Sequence, residues 1–105
     1  MNTKQIALDA IDTKKDCFTA ISDRIWEYAE LSLKEFKSAE DYCKTLEELG
    51  FEVERNVAGI PTAFLGKYGS GKPVIGILGE FDALSGLGQV EGMAEPVPNG
   101  QDCGH

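Results

Sequence analysis

Four side chains in the second half of the sequence have types and spacing that could do chemistry together: Glu80, Asp82, Cys103 and His105. Thiolate sulfur and imidazole nitrogen are both good zinc donors, and Gly104 between Cys103 and His105 lets the backbone fold tightly enough for both to converge. By itself Cys-x-His is a weak motif, because zinc sites usually show paired ligands elsewhere. Glu80 and Asp82 strengthen it by adding carboxylates that a loop could approach. An imidazole that binds metal normally has its second nitrogen held by a carboxylate or carbonyl, a role open to an acid here. Two other readings stand beside this one. Cys103 and His105 could form a nucleophile–base pair, although no third group or oxyanion hole accompanies them. The acids could simply cap a following helix.

The elements that must position these groups centre on Pro73–Leu84. This run is apolar and rich in Val and Ile, and it ends in Glu80 and Asp82 at alternate positions. Such a run reads as a strand buried on both faces, the kind found inside α/β sheets. Open α/β sheets place ligands at the carboxyl ends of such strands, where these acids lie. Ahead of it, Ile6, Ala10, Cys17, Ile21, Ile25 and Tyr28 recur at helical spacing and predict an amphipathic helix from about Thr3 to about Leu31. Ser32-Leu33-Lys34-Glu35 fits a capping box and predicts the start of a second helix. Phe36, Ala39, Cys43, Leu46 and Leu49 form its apolar stripe, and Gly50 is placed to end it.

From Phe51 the period changes to two. Phe51–Arg55 alternates apolar and charged residues, as a half-exposed strand does, and Thr62–Tyr68 reads as another. Gly69-Ser70-Gly71-Lys72 predicts a tight hairpin from the latter into the Pro73 run, since its glycines lack the spacing of a phosphate-binding loop. Ser85–Gly104 holds five glycines and two prolines without any period, so it is loop, and loops of this length are usually functional. The expectation is an α/β fold with a helical pair in 1–50, strands in 51–84 belonging to a mixed sheet, and a metal-site loop in 85–105. No helical pattern closes the fold beyond the last strand, which reads as an N-terminal portion of a larger catalytic domain.

The 105 residues carry a net charge of −8, and every Lys and Arg lies at or before Lys72. Glu80, Asp82, Glu91, Glu95 and Asp102 follow without a compensating Lys or Arg. That half is either a solvated acidic loop or a site balanced by a bound cation, and both argue against nucleic acid. No apolar run has the length of a membrane span, and the N-terminus lacks the apolar core of a signal peptide, so a cytoplasmic location without membrane partners is expected. Cys17, Cys43 and Cys103 make an odd, widely spaced set that does not suggest a disulfide framework.

Four blocks in order resemble the N-terminal part of the aminoacylase and carboxypeptidase-type metalloamidohydrolases. They are Ile25-Trp26-Glu27 through Glu35-Phe36-Lys37-Ser38-Ala39-Glu40, Gly50-Phe51 through Gly59-Ile60-Pro61, and Gly71-Lys72-Pro73 through Gly79-Glu80-Phe81-Asp82-Ala83-Leu84-Ser85-Gly86-Leu87, followed by Asn99-Gly100-x-x-Cys103-Gly104-His105. The last is similar to the family's Asn-Gly-His-Gly-Cys-Gly-His block, with Gln101 and Asp102 in place of His-Gly.

The resemblance implies a zinc-peptidase-like catalytic domain with two divalent metal ions, zinc or manganese, and a smaller dimerisation domain. It implies Cys103 and His105 as metal ligands. In the wider family the last buried strand ends in His-x-Asp, where the histidine binds metal and the aspartate orients it. Glu80 and Asp82 occupy that pair here, so Asp82 inherits the orienting role and that of Glu80 stays open. The two metals would polarise the scissile carbonyl and acidify a water while a downstream glutamate takes its proton. That glutamate, the remaining ligands and the dimerisation domain have no counterpart in these residues. The implied activity is amide hydrolysis of a small acyl-amino acid, an acyl-glutamate such as p-aminobenzoyl-glutamate, by a homo- or hetero-oligomer, with no turnover by the 105-residue chain alone. The alternative is a non-catalytic remnant or interaction module that pairs through the edge of the Pro73 strand.

Overall fold

A computed structural model describes residues 2–88, 92, 94–95 and 100–102. The first helix, α1, spans Thr3–Tyr28, and the side chain of Asn2 caps it by accepting from the Gln5 N–H at 2.8 Å. It stops three residues short of the expected end because Ala29 takes a left-handed conformation, φ 43°, and donates its N–H back to the Ile25 carbonyl. The second helix, α2, spans Phe36–Glu48. It does not begin with the predicted capping box. Its N-cap residue, Glu35, makes no side-chain cap bond, and its carboxylate instead accepts from the Leu33 N–H within the turn.

Glu30 supplies the missing cap. Its carboxylate reaches across the turn and accepts from the N–H of Lys37 at 3.0 Å, and from both the N–H and the hydroxyl of Ser38 at 2.7 and 2.8 Å. These N–H groups are first-turn donors that a helix leaves without internal partners. A carboxylate also suits the positive end of the helix dipole. The far end of α2 closes as expected: Gly50, at φ 92°, donates to the Glu47 carbonyl, and Phe51 donates to that of Leu46. This is the Schellman pattern, for which glycine carries no Cβ penalty.

Strand β1, Glu52–Arg55, pairs antiparallel with β2, Phe64–Lys67, with Glu52 opposite Lys67 and Arg55 opposite Phe64. A short 3₁₀ turn at Val57–Gly59 joins them. The hairpin lies against α2. Arg55 reaches Glu40 and Glu47 at 2.7 Å each, and Gly66 lets the Leu46 side chain approach so closely that a Cβ there would lie 3.1 Å from it. The helix pair is clamped by Arg24, whose Nε and Nη2 donate to the Asp41 carboxylate at 2.6 and 2.8 Å.

The Pro73 run departs from expectation. Among the described residues, 73–82 form no strand, and Val74, Ile75, Ile77 and Leu78 are 84%, 81%, 96% and 91% exposed. The hairpin of β2 is made with β1 rather than with this run. A strand is held by its hydrogen-bonded neighbours and by what covers its faces, and no described element supplies either. The fold is thus mixed helix and strand, but among the described residues its sheets are two separate antiparallel pairs rather than one mixed sheet. The second pair is β3, Leu84–Ser85, with β4, Gln101–Asp102.

The helical stripe of α1 is likewise only partly used. With 26 residues against 13 in α2, it outruns its partner, leaving Ile6, Ile11 and Phe18 exposed and only Ile21 buried. The core is small: among the described residues, Ile21, Ala39, Cys43 and Ala83 are its buried apolar members.

Candidate functional site

Asp82 is half-buried and sits next to the best-anchored point of its segment. Ala83, 4% exposed, donates its N–H to the Glu30 carbonyl at 2.7 Å and forms a parallel bridge with Leu31. Phe81, on the other side, packs against Tyr42 and Phe64, with ring centroids 5.2 and 5.8 Å away. The inter-helix turn and the aromatic cluster therefore fix the positions that flank Asp82. Glu80 lies where this anchored part meets the exposed run.

Glu80 and Asp82 line one wall of an open cleft of about 340 Å³, with Ser32, Glu35 and Thr62 among the facing groups. Glu35 and Thr62 are both buried. Glu80 also borders an apolar groove of about 430 Å³ between α1 and Phe81, lined by Ile21, Ile25, Trp26 and Tyr42. The structure so brings together the two acids singled out from sequence and adds Glu35, a third acid first read as a capping residue.

The half-buried Glu30 is the residue whose role sequence reading missed. Burial pushes its carboxyl pKa up, but donation from Lys37 and Ser38 outweighs that and holds it below the usual carboxylate range. It stays ionised and keeps both α2 and the Ala83 anchor in place. Its signal in the sequence was slight: an acid between two helical patterns.

Cys103 and His105, the expected metal ligands, lie outside the described residues. Among the described residues no group of three or more His, Cys, Asp or Glu side chains is arranged to hold a metal ion. Glu35, Glu80 and Asp82 thus do not make a metal site by themselves. The backbone does return toward the acids: β4 sets Asp102 opposite Leu84, two residues beyond Asp82, and Gly86 donates to the Gly100 carbonyl at 2.8 Å.

No family model matches the chain. Among curated proteins it is 48% identical over 102 residues to a subunit of p-aminobenzoyl-glutamate hydrolase from Escherichia coli (strain K12), a match that covers 92% of this chain and 21% of the relative. It is 40% and 39% identical, over 72 residues in each case, to thermostable carboxypeptidases 1 and 2 of Saccharolobus solfataricus, matches that cover 67% of this chain and 18% of each relative. The chain spans about a fifth of the length of the curated relatives it matches. All three relatives bear the names of hydrolases. Over 92% of its length the chain is thus a homologue of this p-aminobenzoyl-glutamate hydrolase subunit, and over 67% a homologue of carboxypeptidases.

Proposed function

We propose that these residues form the N-terminal portion of a metal-dependent amidohydrolase that cleaves the amide bond of an acyl-glutamate such as p-aminobenzoyl-glutamate. The observation that carries this reading is the match over 92% of the chain to a hydrolase named for that substrate. In this reading Cys103 and His105 bind divalent metal, zinc or manganese, in a two-metal centre, and Asp82 orients the histidine. Glu80 borders the same cleft and has no assigned role. The relative is named as a subunit, which supports an oligomeric whole protein, and the reading places it in the cytoplasm.

The described residues derive one part of the chemistry. A half-buried carboxylate on an anchored backbone can hold a neighbouring imidazole in one orientation, because Ala83 and Phe81 limit how far Asp82 can move. The proton-accepting glutamate is assigned to chain beyond the matched residues, so the 105-residue chain alone does not turn substrate over.

A chimera tests the reading. The 102 matched residues of the E. coli relative are replaced by those of this chain. Hydrolysis of p-aminobenzoyl-glutamate by the chimera, lost on Cys103→Ser, is the expected result. A folded chimera that assembles like the parent but leaves the substrate intact would sink it. Hydrolysis by the purified 105-residue chain would refute the assignment of the base to other residues.

The exposure of the Pro73 run is a specific observation in favour of the second reading, an interaction module. That reading does not require the hydrolase assignment to fail, since a surface can serve either.

A further inference from the structure

We infer that Leu33 and Glu35 are positioning residues: they lock the turn between the helices, and through Ala83 that turn sets the place of Asp82. The inference rests on the metal-hydrolase reading, in which Asp82 orients the ligating imidazole.

Residues 31–34 form a turn closed by the Lys34 N–H, which donates to the Leu31 carbonyl at 2.8 Å. Its third residue, Leu33, has φ 66°. A positive φ at that place in a turn is ordinarily supplied by glycine or asparagine, because a larger side chain crowds the following carbonyl. Ala29, on the other side, is left-handed as well, at φ 43°. Two non-glycine residues in this region therefore bracket Glu30–Ser32. Such conformations persist only where the surroundings over-determine them, and they concentrate where a site has to be held in place. Packing within the described residues does not explain the leucine, whose side chain is 65% exposed.

Glu35 does the over-determining. It is 7% exposed, and its carboxylate accepts from the Leu33 N–H. A local capping box would have turned that carboxylate to the start of α2, but α2 takes its cap from Glu30 and leaves Glu35 to the turn. The locked turn leads directly to Asp82. Leu31 forms the parallel bridge with Ala83, and the Glu30 carbonyl accepts the Ala83 N–H at 2.7 Å. A rotation at Leu33 that swings Leu31 therefore moves Ala83 and its neighbour Asp82. Glycine would build the same turn with less strain but would leave more conformations open to it. Fold stability and the order of Asp82 are thus separable at this one position.

The chimera that carries these residues in a whole enzyme separates the two. Leu33→Gly is expected to leave the thermal midpoint close to wild type, since relief of the left-handed strain offsets the greater freedom of glycine in the unfolded chain. Zinc affinity, measured by chelator competition, should nevertheless fall about tenfold. Hydrogen exchange at the Ala83 amide should speed up, and kcat should drop with KM little changed. Leu33→Asn, which accepts the same φ, should keep wild-type affinity and exchange. Glu35→Ala should loosen the site as Leu33→Gly does, and Glu35→Gln, whose amide oxygen can still accept from Leu33, should restore it. Wild-type zinc affinity and Ala83 exchange in Leu33→Gly would overturn the inference and leave the hydrolase reading intact. So would an equal loss in Leu33→Asn, which would assign the effect to the leucine side chain, or a loss of affinity that only tracks a lowered thermal midpoint. A chimera that binds no zinc before any substitution sinks the hydrolase reading, and the positioning role falls with it.

Discussion

The Glu30 carboxylate accepts both the N–H and the hydroxyl of Ser38, at 2.7 and 2.8 Å, from eight residues away. The same residue gives its backbone carbonyl to Ala83. One acid in a turn thus holds the start of α2 with its side chain and the flank of Asp82 with its main chain.

Glu30→Gln is expected to destabilise the chain by about 1 kcal/mol, the usual cost of a lost helix cap, and Ser38→Ala by a similar amount. The pH dependence follows from the depressed pKa of Glu30. A carboxyl whose pKa is lower folded than unfolded contributes stability that is fully present above its unfolded pKa. That stability is lost as pH falls through the folded value. Urea denaturation from neutral pH down through the carboxylate range should therefore show wild type and Glu30→Gln converging in acid. Parallel curves would show that the cap does not depend on charge.

Arg24 and Asp41 form a bidentate pair between the helices, and Tyr28 adds its hydroxyl to the same carboxylate at 3.2 Å. The Arg24 hydrogen bond holds Asp41 below the usual carboxylate range. A double-mutant cycle of Arg24→Ala with Asp41→Asn should give a favourable but small coupling, because the guanidinium is solvent-exposed and screened. Arg24→Lys should not recover it, because an ammonium cannot present the two parallel donors.

The two described cysteines should differ sharply in reactivity. Cys17 is exposed on α1, whereas Cys43 is 2% exposed and burial pushes its thiol pKa up. A thiol must ionise to be alkylated. Brief treatment with iodoacetamide followed by peptide mapping should label Cys17 in the native chain and Cys43 only in denaturant. Equal labelling would mean that the α2–hairpin core opens readily.

Ala83→Leu should cost about 1–3 kcal/mol, since a buried anchor beside a small core has no room for the added carbons. It should also release the segment on either side. Hydrogen exchange at the Ala83 position, slow in wild type through its bond to Glu30, would then become fast.

Zinc titration of the 105-residue chain tests the proposed ligands directly. Cys103→Ser and His105→Ala should remove stoichiometric binding, and Asp82→Asn should weaken it by about 10–100-fold. Binding that survives both ligand changes would place the metal elsewhere.

Sequence by itself determined what depends on neighbours along the chain. The 3.6-residue period specified both helices, Gly50 specified the end of α2, and the two-residue period with its turn residues located β1 and β2. Glu80 and Asp82 were recognisable as paired acids because their spacing at alternate positions is read directly along the chain. Tertiary structure alone decided where groups distant in sequence meet. The capping box at Ser32 was sound by pattern, yet Glu30 won the α2 donors because the turn brings its carboxylate over Lys37 and Ser38. Glu35 joined the cleft for the same reason. The Pro73 run shows the limit most clearly. Its composition is that of a buried strand, but burial and a ladder are relations to other segments, and no described segment of this chain provides them.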